Sequence, residues 1–205
     1  MTQRNTLAHA LHDLGLAAWF GGSLMGAIGV NGAAADVDDP RQRARVANAG
    51  WARWTPLNAV AIGAHLVGGA QLLKANKGRI ATQQGVLANT NAKLALTAGA
   101  LAATGYSRVL GKKMQTAGDV PVAGGTDSLS TTPPEVAKAQ KQLSALQWVI
   151  PGLTGAMLVS SSLHEEQQRP SQVVGGTIKA LPSTIGSAFT GLGAAAKSRV
   201  STDDC

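Results

Sequence analysis

Leu14–Ala35, LGLAAWFGGSLMGAIGVNGAAA, contains no Asp, Glu, Lys, Arg or His. A charge-free apolar run of about twenty residues is what an α-helix needs to cross a hydrocarbon core roughly 30 Å thick. Gly and Ala dominate the run, and glycine weakens an isolated helix in water. In lipid the same small residues let neighbouring helices approach closely. Gly22 and Gly26 form a GxxxG step, and Gly29 to Ala33 continues the small face. The stretch is expected to be the first span of an integral membrane protein.

Composition fits that reading. Of 205 residues 44% are hydrophobic but only 3% aromatic, and 25 are glycine. A water-soluble core built from Ala and Gly would bury little apolar area per residue. Mean hydropathy is only +0.06, because polar segments separate four apolar blocks. The net charge is +7. No strand-and-aromatic pattern or compact basic cluster accompanies it, so nucleic acid is not an expected partner. Basic residues at the ends of spans, facing anionic headgroups, account for the charge. The single cysteine, Cys205, is the last residue. It supports neither a disulfide framework, a metal motif nor a prenylation box. The apolar run is too long for the core of a cleaved signal.

Before the first span, Leu7, Leu11 and Leu14 fall at helical spacing in an interfacial lead-in that Asn5 or Thr6 could cap. After it, Asp36–Trp54 reads as a basic connection. Asp39-Pro40 is a helix start, and Trp51 and Trp54 suit a membrane–water interface. The second span is expected over 55–73, with Pro56 in its first turn, His65 near its middle and an Ala64-to-Gly68 small-residue step. Lys74, Lys77 and Arg79 mark its exit, and Arg79–Thr90 reads as a surface helix or a hairpin loop. A third span over 91–110 requires Lys93 and Arg108 to snorkel to opposite interfaces, and Ala95, Gly99 and Ala103 line one face of it. Gly111–Thr132, rich in Gly, Pro, Ser and Thr, reads as a loop without fixed structure. Thr132 and Glu135 have capping-box spacing ahead of a fourth span over 143–163. Pro151 should kink that span, and Thr154 or a neighbouring helix could satisfy the freed carbonyl. Residues 167–205 read as a Gly-rich interfacial or disordered tail.

The expected architecture is thus an all-α integral membrane four-helix bundle, residues 1–166, with both termini on one side. The first and third connections carry nine basic residues against six on the other side, which places those connections in the cytoplasm. The bilayer is the first partner, followed by further copies or a larger membrane complex.

Candidate chemistry is sparse. Met25 and His65 fall near the middle of antiparallel spans one and two, and Met157 lies within about one turn of that level. A thioether–imidazole set of this kind suits copper. The plainer reading is that the methionines fill gaps and His65 hydrogen-bonds a neighbouring helix. An ionisable residue at mid-membrane still marks His65 for test. His9, His12 and His164 lie at span ends, which argues against haem. No nucleophile elbow or phosphate loop is present, so no enzyme is expected.

His12, Trp19, Gly21 and Gly22, in a His followed by Ala-Trp-Phe-Gly-Gly, resemble the start of small four-helix membrane proteins of the DUF4149, transmembrane-protein-205-like type. They also resemble part of the copper-resistance D membrane domain. The likeness covers the first span and the four-span plan, and it implies a copper or export role. The polar third connection and long Gly-rich tail depart from that pattern. The reading that follows is a non-enzymatic inner-membrane component or assembly partner. The alternatives are a transporter or metal-handling bundle centred on Met25, His65 and Met157, and a soluble Ala-rich helical protein.

Overall fold

The computed structural model describes the backbone of residues 5–82 and 84–167, and the side chains of 5–78 and 86–162. Cys205 and the expected tail beyond Gln167 lie outside the described residues, as does the side chain of His164. Every described element is helical: α1, Thr6–Met25; a π-helical turn, Gly26–Val30; α2, Asn31–Ala35; α3, Pro40–Thr82; α4, Gln84–Thr116; and α5, Pro134–Gln167. The packing below concerns the compact unit that ends at Ser160.

The long helices alternate in direction. α1 and α3 run antiparallel, with Gly68 against Ala8 and His12, Gly15 against Ala61 and His65, and Gly50 against Val30. α4 and α5 pair antiparallel through Lys113–Glu135, Tyr106–Gln142 and Thr97–Met157. Trp19 bonds Thr104 and Asn31 bonds Gln147, which tie α1 and α2 to α4 and α5. Leu16, Trp19, Ala100, Ala103, Ile150 and Met157 form the central apolar cluster.

Among the described residues three helices are long and apolar enough to cross a membrane, Thr6–Ala35, Pro40–Gly78 and Pro134–Ser162. α4 has the length at 33 residues. It is not among the three, because Lys93 and Arg108 bracket a short uncharged stretch.

The helices extend further than the expected spans. Most of the expected first connection belongs to α3, which begins at Pro40 and runs unbroken through Pro56. Pro56 is therefore an interior residue and not a first-turn one. Asp39 does start the helix, since its carboxylate accepts from the Arg41 amide at 3.0 Å. Asn5 takes the N-cap position of α1 but makes no side-chain cap bond. α5 continues through Pro151, and Thr154 Oγ1 donates to Ile150 O at 2.8 Å. That carbonyl is not the one four residues before the proline.

The expected unstructured loop is in fact a folded cap. Gly118, at φ +75°, turns the chain out of α4 in a conformation that glycine adopts without strain. The Val122 amide then donates to Pro40 O at 3.1 Å, and Val122 is fully buried. Arg43 donates to Val37 O at 2.7 Å and Ala123 O at 3.1 Å. Gln140, fully buried, donates to Gly124 O and Asp127 O. Thr132 donates to Pro121 O and accepts from the Leu129 amide, so it braces the loop instead of capping α5. Glu135 accepts from Lys113 at 2.7 Å. That hydrogen bond, and then the lysine's charge, hold its carboxyl below the usual carboxylate range. The pair is exposed and pins the helix ends weakly. Composition misled here because Gly, Pro, Ser and Thr also build tight turns when buried donors meet their carbonyls.

Gln140→Met keeps the volume but strips the buried Gly124 carbonyl of its side-chain donor and removes one of the three donors to Asp127 O. It should lower stability by about 1–3 kcal/mol and speed amide exchange over residues 122–127. The exposed change Lys141→Ala should stay within about 0.5 kcal/mol. Thermal unfolding and hydrogen exchange of the solubilised protein check both.

Candidate functional site

Two features stand out inside the bundle. The first is a histidine pair where α1 crosses α3. The His12 and His65 rings stack, with centroids 4.1 Å apart and planes at 22°. His12 Nδ1 lies 3.1 Å from His65 O, and His65 Nδ1 lies 3.1 Å from His12 O. A carbonyl can only accept, so each Nδ1 carries the proton. In the neutral ring each Nε2 keeps its lone pair. The edge of Trp19 closes on His65 at 6.2 Å.

The pair exists because two glycines let the backbones touch. A Cβ on Gly15 would meet Ala61 O and the His65 amide within 2.6 Å, and one on Gly68 would meet Ala8 O and the His12 amide at 2.5 Å. The contact is reciprocal, and its signature repeats in the sequence. Ala8-x3-His12-x2-Gly15 matches Ala61-x3-His65-x2-Gly68. Scanning for internal repeats finds it, whereas a search for GxxxG does not.

The second feature is a cavity of about 230 Å³ between the helices, towards the end capped by the folded loop. Trp19, Trp51, Trp54, Asn58, Thr104 and Arg108 are among the residues lining it. Trp19 Nε1 donates to Thr104 Oγ1 at 3.2 Å. Trp51 Nε1 donates to Asn31 Oδ1 at 2.9 Å, and Asn31 Nδ2 donates to Gln147 Oε1 at 2.8 Å. The π-helical turn just before Asn31 adds one residue to the turn. A shift of that kind re-aims the following side chains, and here Asn31 points inward. Trp54 Nε1 and Asn58 Oδ1 are buried and have no partner among the described residues.

The predicted site residues separate in this geometry. His65 is buried and paired, but with His12 and not with Met25. Gly26 lies against Trp51, so Met25 sits about thirteen residues along α1 from His12, or roughly 20 Å. Its side chain is 63% exposed. Met157 is buried in the central cluster, where its sulfur accepts from Thr97 Oγ1 at 3.1 Å. The expected Met25–His65–Met157 set is therefore not gathered. The spans are not aligned by their midpoints, because the small-residue contacts set a different register. Among the described residues no three His, Cys, Asp or Glu converge.

Of the packing residues, Gly22 and Gly26 receive the Trp54 and Trp51 rings and not a helix backbone. Those tryptophans, expected at the membrane interface, turn inward as a result. Gly68 makes the backbone contact expected of it, against Ala8 and His12, while Ala64 at the other end of the step is only half-buried. Gly99 makes ordinary contact with Leu153, and Gly21 faces open space. Nothing in composition marked Trp54, Asn58 and Arg108 as neighbours, because they come from two helices.

Among known proteins, no family model, curated protein or solved structure matches the chain.

Gly15→Ala and Gly68→Ala should each lower stability by about 1–3 kcal/mol by forcing the crossing apart. Gly21→Ala and Gly63→Ala, which meet open space, should be neutral or stabilise by up to about 1 kcal/mol. Thermal unfolding of the four variants compares them directly.

Proposed function

We propose that this chain is a multi-pass integral membrane protein of bacterial inner-membrane type. It acts as a non-enzymatic membrane component or assembly partner. The observation that supports this reading is the reversal of its side-chain distribution. Leu14 is 71% exposed, Val60 72%, Leu7 70%, and Ile28, Leu57, Val67, Val109 and Val159 are also exposed. The interior instead holds Ala8, Ala34, Ala100 and Ala139 with Ser23, Asn31, His65, Gln140 and Thr154.

In water the exposed apolar side chains would cost free energy in proportion to their area, and so large a set marks a surface covered by something else. A bilayer covers them without cost. Inside, small residues allow close backbone approach and polar groups bond across helices, which is how helices associate in lipid. α4 then spans as the fourth helix only with Lys93 and Arg108 reaching towards opposite faces. The first and third connections meet through the Arg43 and Val122 bonds, and the positive-inside bias assigns that end to the cytoplasm. The bilayer is the principal partner, with further copies or a larger membrane complex as the others.

Carbonate extraction of membranes expressing the full chain should leave it in the pellet. In a Cys205→Ser background, Asp38→Cys and Asp119→Cys should label from one side of sealed vesicles and Thr82→Cys from the other. Release by carbonate, or labelling of all three from the same side, would overturn the multi-pass reading.

A further inference from the structure

We infer that the cavity between α1, α3, α4 and α5 is a binding site for a small organic monocarboxylate. The ligand has an apolar, preferably aromatic, body and one hydroxyl or amine donor.

The argument begins with what the fold leaves open. Of the three indoles at the cavity, those of Trp19 and Trp51 donate their N–H to Thr104 and Asn31. The N–H of Trp54 is buried and has no partner. Asn58, one turn on along α3, presents a buried oxygen without a donor. Residues four apart share a helix face, so a donor and an acceptor stand side by side on one wall. Buried polar atoms are nearly always paired, by protein, water or ligand.

Across the cavity α4 contributes Arg108, half-buried, with no carboxylate partner among the described residues. A guanidinium is always charged and presents a planar fork that fits a carboxylate. One cation favours a monoanion, since a phosphate dianion would bring an uncompensated charge into a partly apolar wall. The indole faces supply flat apolar surface for the body of the ligand. At about 230 Å³ the cavity exceeds the roughly 150 Å³ that accommodates a benzene, which suits a molecule of amino-acid size. The chemistry assigns each group a role. Arg108 and the Trp54 N–H hold the two carboxylate oxygens, Asn58 accepts from the ligand's hydroxyl or amine, and the rings enclose its body. Such an acid could arrive free in water or as the head of a fatty acid whose tail lies in lipid.

The test uses the detergent-solubilised full chain with 3-phenyllactate as probe, followed by Trp fluorescence, isothermal titration and thermal shift. Saturable binding is expected, weakened about tenfold or more by Arg108→Gln and by Trp54→Phe, which keeps an aromatic ring but loses the indole N–H. Phenylacetate, which lacks the hydroxyl, should bind several-fold more weakly, and the methyl ester of phenyllactate should not bind. Asn58→Leu should erase the preference for phenyllactate over phenylacetate. A decanoate arm separates the sources: tighter binding of decanoate than of phenyllactate assigns the carboxylate to a lipid-derived acid, and the reverse to a free one. If Arg108→Gln does not fold, as read from its unliganded unfolding curve, Trp54→Phe decides alone. No saturable binding, equal binding of acid and ester, or affinity unchanged in Trp54→Phe would each overturn the assignment and leave the cavity to water.

Discussion

The backbone contact between α1 and α3 at Gly15 and Gly68 is the constraint on which the rest of the bundle depends. Each glycine stands where any Cβ would strike a carbonyl and an amide of the other helix. Two helices that touch in this way resist sliding, because a shift would bring side chains against the backbone where the glycines now leave room. The reciprocal bonds of His12 and His65 to each other's carbonyls then lock the same register with polar groups. In a bundle short of large apolar side chains, close packing and a few hydrogen bonds do what area burial does in an ordinary core.

From that register the remaining contacts follow up the helix pair. Trp54 and Trp51 land on Gly22 and Gly26, where glycine leaves room for an indole. The π-helical turn then brings Asn31 inward to meet Trp51 and Gln147. The loop over residues 117–133 closes the same end, held by Arg43 and Gln140 through hydrogen bonds to the carbonyls of Ala123, Gly124 and Asp127. The cavity is the space left between these anchors, and the unpartnered Trp54 and Asn58 atoms stand on one wall of it.

Much of the architecture was legible. Helix starts at Pro40 and Pro134 follow from proline's fixed φ and its lack of an amide hydrogen, and the four apolar blocks lie inside the four long helices. The Ala-x3-His-x2-Gly repeat was also on the page, as a period of 53 residues that a local motif search passes over. Other features were not legible. Trp51 and Trp54 beside arginines read as interfacial anchors, yet both turn inward, because the decisive partners Gly22 and Gly26 sit on another helix. The Gly- and Ser-rich connection read as loose, yet Val122 and Gln140 fasten it.

The sequence by itself determined that the described residues are mostly helical, that helices start at Pro40 and Pro134, and that apolar residues come in blocks separated by charge. Those properties are local, set by propensity, by proline and by the spacing of apolar and charged residues. Only the tertiary structure decided which residue stands opposite which. Register between helices depends on where two backbones can approach, and that is a property of pairs of distant residues. It placed His65 beside His12 and away from Met25, and it gathered Trp54, Asn58 and Arg108 around one cavity.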